Sequence, residues 1–131
     1  MRTPSILRIL TLLLFTIACF SFKAPGGWEK LGEKKVDYKI DRDVINVSYR
    51  DGTFKKLRFV VTKGSLNMHN CVVHFANGEE QDINLKHDFT RGSLSREIDL
   101  QGNNRFIDKI TFWYDTKGYS NNKAELAVWG K

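Results

Sequence analysis

Residues 71–83 read CVVHFANGEEQDI, and the parity of this short stretch decides the fold. Cys71, Val73 and Phe75 alternate with Val72 and His74, and a turn pair, Asn77-Gly78, follows. A two-residue loop at Asn77-Gly78 opposes Val73 to Asp82 and Ile83 to Val72. That register splits the apolar side chains between two faces, because residues directly opposite each other share a face. A three-residue loop, Ala76-Asn77-Gly78, opposes Cys71 to Ile83 and Val73 to Gln81 and gathers the apolar residues on one side. The stretch therefore predicts a hairpin closed by a type I turn and a G1 bulge, with Gly78 at positive φ.

The same alternation extends in both directions. Ile45, Val47 and Tyr49 form one set, followed by Leu57, Phe59 and Val61, then Ile98 and Leu100, then Ile110, Phe112 and Tyr114, then Leu126 and Val128. Gly-containing turns separate them, and no stretch downstream of residue 21 carries a helical period. A loop of Arg50-Asp51-Gly52 opposes Ile45 to Leu57 and Val47 to Lys55, which predicts a second hairpin with Gly52 at positive φ. Leu66 and Met68 fall on even positions but Cys71 on an odd one, so a bulge or break is expected near His69-Asn70. The pattern predicts an all-β, single-domain antiparallel β-sandwich of about eight strands, with Greek-key or jelly-roll connections.

The N-terminus reads as a leader. Arg2 and Arg8 precede an uncharged run from Ile9 to Phe20, the length of a secretory apolar region and short for a membrane span. Cleavage after Ser21 divides the chain into a signal peptide, 1–21, and a domain, 22–131. Thr16-Ile17-Ala18-Cys19 is also a degraded lipobox, so a lipid anchor at Cys19 is the alternative to a secreted or periplasmic product. No transmembrane segment is expected after cleavage. Of 21 basic residues two lie in the leader, leaving 19 against 15 acidic and a net charge of +4. That surplus is spread along the chain, which argues against nucleic acid as a partner. Only Cys71 survives cleavage after Ser21, so no internal disulfide is expected and the core must hold the domain together.

Catalytic motifs are absent: no nucleophile elbow, no His-Glu-x-x-His and no phosphate-binding glycine loop. No cofactor is expected. His69, Cys71 and His87 are a conceivable zinc set, but Cys71 falls in register with Val73 and Phe75 and reads as a small core residue. Asp37, Asp41 and Asp43 recur near a strand entry, where turn carboxylates commonly satisfy their own backbone amides. A small hydrolase requires His87 to converge with Asp88, or His74 with Glu80.

Binding residues are easier to nominate. If Ile110, Phe112 and Tyr114 point inward, Trp113 points outward beside Lys109, unless Trp28 and the N-terminal stretch cover it. Trp129 is expected beside Trp113 if the last strand pairs with residues 105–115. Arg58, Arg96 and Arg105 flank apolar strand residues; their forks suit an acidic sugar or carboxylate, or else pair with nearby carboxylates. Trp113, Trp129, Lys109, Arg58, Arg96 and Arg105 are thus the candidate ligand-binding residues of a non-catalytic binding module, with a glycan or an envelope protein as partner. Self-association through sheet edges, as a structural envelope protein, is the other non-enzymatic reading.

Several segments together carry a family likeness: Trp28-Glu29-Lys30-Leu31-Gly32, Leu57-Arg58-Phe59, Val73 to Gly78, Gly92 to Leu100, Arg105 to Ile110, and Ala124 to Gly130. Their order resembles the YaaI-like group of short exported bacterial proteins of unknown function. The resemblance implies a bacterial, secreted or periplasmic β protein and brings no catalytic residue with it. The chain departs from cysteine-bearing members in lacking a second mature cysteine, so no disulfide is implied.

Overall fold

A computed structural model describes residues 25–36, 41–85, 87–116 and 123–131. The expected leader, 1–21, and Asp37 lie outside the described residues. Among the described residues nine strands run in chain order: β1 (Glu29–Lys35), β2 (Asp41–Asn46), β3 (Lys56–Thr62), β4 (Leu66–Phe75), β5 (Glu80–Ile83), β6 (His87–Phe89), β7 (Ile98–Asp99), β8 (Ile107–Asp115) and β9 (Glu125–Gly130). Among the described residues the only helical turns are short 3₁₀ segments at Pro25–Gly27 and Tyr49–Asp51, and no helix is long and apolar enough to cross a membrane.

Two antiparallel sheets form. One has the order β1-β9-β3-β7 and the other β2-β8-β4-β5, with β6 also pairing with β4. The pairing is nested: β1 with β9, β2 with β8, β3 with β7, and β4 with β5 and β6. This is one long hairpin rolled up on itself, and the contacts β3·β9 and β4·β8 seal the roll. The connections are those of a jelly roll. β5 pairs with Cys71–His74 and β6 with Leu66–Met68 on the same edge of β4, so the two make one interrupted strand.

Period-two burial places the core between the sheets. Leu57, Phe59 and Val61 of β3 and Leu126 and Val128 of β9 are fully buried on one side. Met68, Cys71 and Val73 of β4 and Ile110, Phe112 and Tyr114 of β8 face them from the other. The rings of Phe112 and Tyr114, two apart on one face, lie 5.7 Å centre to centre. Gly32 and Gly130 let neighbours close in: a Cβ at Gly32 would stand 2.7 Å from Ile45 Cγ2, and one at Gly130 would stand 2.6 Å from Phe54 Cδ1.

The β4–β5 hairpin has the register expected from parity, Cys71 to Ile83 and Val73 to Gln81. The Gly78 amide donates to the Phe75 carbonyl at 3.0 Å, the Phe75 amide donates to the Glu79 carbonyl at 2.8 Å, and Gly78 has φ +92°. The expected bulge is present between Met68 and Asn70. The second hairpin is not. Ile45 faces Ile110, and Leu57 faces Ile98 and Gly130, so β2 and β3 belong to different sheets. Gly52 has the expected positive φ, +91°, but turns the chain from one sheet to the other. Phe54 is the reason: it is buried inside that connection and bridges to Arg105, whereas a hairpin would have turned its ring outward.

Candidate functional site

The register of the β2-β8-β4-β5 sheet orders its outer face into rows. β8 supplies Lys109, Thr111, Trp113 and Asp115 on alternate positions. Trp113 lies between Arg42 of β2 and Asn70 of β4; Thr111 lies between Val44 and Val72; Lys109 lies between Asn46 and His74. β5 extends two of these rows, with Asp82 beside Val72 and Glu80 beside His74. Successive rows are about 7 Å apart and neighbouring columns about 5 Å, the dimensions of a pleated surface.

Trp113 is half-buried, neither sealed nor free-standing. The Arg42 guanidinium carbon lies 5.9 Å from its ring centre, within cation–π range. On its other side the bulge turns both His69 and Asn70 outward. His69 Nε2 hydrogen-bonds to Asp115 Oδ2, which also accepts from Asn67 Nδ2 at 3.3 Å. The Asp115 carboxylate is only 9% exposed, and these bonds hold it in place. Short side chains, Val44, Thr111 and Val72, floor the middle of the face; longer ones, Trp113, Arg42, Lys109 and His74, stand around them.

The row beyond Thr111 carries a carboxylate and an imidazole that run in series to the Thr111 hydroxyl. Glu80 Oε1 is 3.2 Å from His74 Nδ1, and His74 Nε2 is 2.9 Å from Thr111 Oγ1. A carboxylate at Glu80 requires the proton on Nδ1; in the neutral imidazole Nε2 then accepts from the Thr111 hydroxyl, and in the imidazolium it donates to it. The order resembles a nucleophile with its base, but Thr111 is 1% exposed. No reacting carbonyl reaches that hydroxyl.

The histidine–cysteine set does not converge. Cys71 is fully buried in the core, its thiol pushed up to about 12 by burial, while His69 is bound to Asp115 on the outside. The bulge between Met68 and Asn70 breaks the parity that would have aligned them. Among the described residues no group of three metal-type ligands is close enough to hold an ion. Asp43 Oδ2 accepts from the Tyr114 hydroxyl at 2.8 Å.

Trp129 is on the opposite side of the molecule from Trp113. β9 pairs with β1 and β3, not with β8, because the roll places first and last strands together. Trp129 is half-buried on the outer face of the β1-β9-β3-β7 sheet, in register with Arg58 and Lys30. Trp28, expected as a cover for Trp113, instead lies 5.1 Å beneath the Arg58 guanidinium. Arg58 Nη2 is 3.5 Å from Glu97, which also pairs with Lys56 at 3.4 Å; Arg58 Nε is buried without a hydrogen-bond partner.

Arg96 and Arg105 bind the chain's own backbone. Arg96 donates to the Asn84 carbonyl at 3.2 Å. Arg105 donates to the Gln101 carbonyl at 2.8 Å, to Glu79 Oε1 at 2.7 Å and to Asn77 Oδ1 at 3.2 Å, and its fork lies 3.7 Å from the Phe75 ring centre. The six nominated residues thus divide among separate places. Trp113 and Lys109 share one face, Trp129 and Arg58 the other, Arg96, in the strand-free stretch before β7, reaches the connection between β5 and β6, and Arg105 fastens a loop end. Arg42, Asn70 and Asp115 are not among the binding residues the sequence suggests. Their place beside Trp113 depends on which strands pair, and no local signal carries that.

The fold and this face define a two-sheet jelly-roll protein with an aromatic, hydrogen-bonding outer surface. The chain belongs to a family described as a domain of unknown function, DUF2541, whose sequence model matches residues 8–130. No curated protein matches the chain significantly in sequence. Among solved structures, it is similar to a variant of a family 29 carbohydrate-binding module, at 13% identity over 79% of this chain and 88% of that one, with a TM-score of 0.32. It is also similar to the coat protein of Tobacco streak virus, at 14% identity over 85% of this chain and 91% of that one, with a TM-score of 0.35. Both likenesses are loose and concern the fold alone.

Proposed function

We propose that this protein is an exported, non-catalytic binding module that receives a glycan on the outer face of the β2-β8-β4-β5 sheet, with Trp113 as the platform. The leader-like N-terminus and the resemblance to YaaI-like proteins support a secreted or periplasmic location. One observation carries the reading: the Trp113 ring is partly open on the sheet's outer face, held by Arg42, and bordered by Asn70 and the Asn67–Asp115–His69 set. The face of a pyranose ring is apolar and its rim is hydroxylated. An indole matches the first, and fixed amide, carboxylate and guanidinium groups match the second. Lys109, His74 and Glu80 share a row two rows away and would meet a further sugar along a chain.

Titration with arrayed neutral oligosaccharides, read by calorimetry, tests this. Trp113→Ala is expected to weaken the ligand found by roughly 30-fold, as loss of a central aromatic anchor does. Trp129→Ala is expected to leave it unchanged. Equal binding by the Trp113 variant would overturn the assignment, and capture of an envelope protein through Trp113 would replace the glycan as its ligand. Mass spectrometry of the exported protein tests the address: a first residue of Phe22 is expected, and a lipidated Cys19 would put the module on a membrane anchor.

A further inference from the structure

We infer a second binding site at the end of the sandwich where β9 stops and β8 begins, for a sugar ring that carries a carboxylate. Two hollows meet there at Asn104. One, of about 330 Å³, is lined by Phe75, Ala76, Asn77, Asn104, Arg105 and Phe106. The other, of about 300 Å³, is lined by Thr53, Lys55, Lys56, Asn104 and Lys131.

The second hollow contains unused polar groups. Lys30, Lys56 and Lys63 each reach a carboxylate, at 2.5, 3.4 and 3.1 Å. Among the described residues the ammonium groups of Lys55 and Lys131, the Asn104 amide and the Thr53 hydroxyl have no such partner. Lys56 is already shared by Glu97 and by Asp99 at 3.7 Å, and Asp51 stands in the turn before Thr53. Neither ammonium is met by a side-chain carboxylate among the described residues, and two such cations beside one hollow make a place for an anion.

Backbone bonds hold this place together. The Lys55 and Lys56 amides both donate to the Lys131 carbonyl, at 2.8 and 3.1 Å, and the Lys131 amide donates back to Lys56 at 3.0 Å. Phe54 and Arg105 exchange two bonds of 2.9 Å, and the Ala76 amide donates to the Phe106 carbonyl at 2.9 Å. The loops bearing Lys55, Asn104, Phe106 and Lys131 are therefore tied into one frame.

The first hollow adds an apolar surface. Phe106 is 48% exposed, one of two large apolar side chains so open among the described residues. Arg105 cannot supply the anion site, since its fork is committed to Glu79, Asn77 and Gln101. The ligand that uses both hollows has a ring face for Phe106, hydroxyls for Asn104 and Thr53, and a carboxylate for Lys55 and Lys131. A uronic-acid saccharide has all three.

Amide chemical shifts of ¹⁵N-labelled protein, titrated with a galacturonate oligomer, its methyl ester and inorganic phosphate, test the site. The oligomer is expected to move Lys55, Asn104, Phe106 and Lys131 together. K55Q/K131Q, which keeps every backbone bond named above, is expected to weaken it roughly tenfold. Phe106→Ala is expected to weaken the oligomer and leave phosphate unchanged, and Trp113→Ala to change neither. Equal binding of the methyl ester, or phosphate binding as tightly as the oligomer, would overturn the acidic-sugar assignment. So would shifts centred on Trp113, which would assign the oligomer to the sheet face instead.

Discussion

Arg105 and Cys71 show how far single residues are committed to structure here. Gly102, at φ +85°, leaves room for Arg105, whose Nη1 would stand 3.0 Å from any Cβ placed there. The guanidinium then closes the 101–105 loop onto the β4–β5 turn through Glu79 and Asn77. The Glu79 carboxyl is held below its ordinary 4.5 by the hydrogen bond from Asn77 and then by the Arg105 charge. A depressed carboxylate contributes stability above its unfolded value and loses it as pH falls through the folded one. Glu79→Gln is therefore expected to lower the urea midpoint at pH 7, by an amount that shrinks as pH falls below 4.5 and through the lowered folded value. A difference that does not shrink on acidification would show that shape, not charge, is what Glu79 supplies. Cys71 is a simpler case. Its thiol, raised to about 12 by burial, is almost wholly protonated at pH 8 and has no path to solvent. Ellman's reagent is expected to leave it untouched in the folded protein and to react fully in denaturant. Rapid modification under native conditions would mean that β4 opens locally.

At the scale of elements, two glycines that look alike in sequence do different things. Gly78 and Gly52 both have φ near +90°, and a Cβ added at either would meet nothing within 4 Å. Alanine at Gly78 is expected to cost about 1 kcal/mol, from the left-handed backbone alone. Gly130 has the opposite problem, with ordinary backbone but Phe54 and Leu31 atoms at 2.6 and 2.9 Å from any added Cβ. Gly130→Ala is expected to cost about 1–3 kcal/mol through overpacking, and Gly130→Ala with Phe54→Leu to recover part of it. Thermal melts of the three variants check both statements. This pair also explains what was legible in the chain. Strand alternation, the β4–β5 register and the bulge at His69-Asn70 follow from a period of two and need no distant partner. The Asp51-Gly52 turn satisfies the same parity test, yet it links two sheets, because parity says which residues share a face and not which strand lies alongside. Phe54 was the available clue: a large apolar ring on an even position cannot be buried by the hairpin that Ile45 and Leu57 suggest. The outward position of Trp113 was likewise readable, while Arg42, some 70 residues away in sequence, became its neighbour only through the β2·β8 pairing.

For the whole molecule, the nested pairing makes the end of the chain central to its stability. β9 lies between β1 and β3, so its removal leaves β1 without a partner and β3 with only the two-residue β7, and opens the core at Leu126 and Val128, which are fully buried. Edge strands behave differently: β7 contributes two residues, and β6 three, to sheets that are otherwise complete. A chain ending at residue 123 is therefore expected not to fold at all, giving a collapsed amide spectrum and no cooperative melt. Emptying the core site that β7 fills, with Ile98→Ala, is expected to cost about 2–5 kcal/mol and leave a two-state transition. The contrast is the test. If the truncated chain kept a dispersed spectrum, β1 and β3 would have to find another arrangement, and the first-with-last nesting would not be what holds the two sheets together. The same nesting requires every strand of one sheet to wait for a partner far along the chain, so refolding is expected in milliseconds to seconds, slow for a domain of this size. Stopped-flow tryptophan fluorescence reads this directly, since Trp113 reports on one sheet and Trp28 and Trp129 on the other: coincident phases in W113F and W28F/W129F would mean that the two sheets form in one step, as a single roll demands.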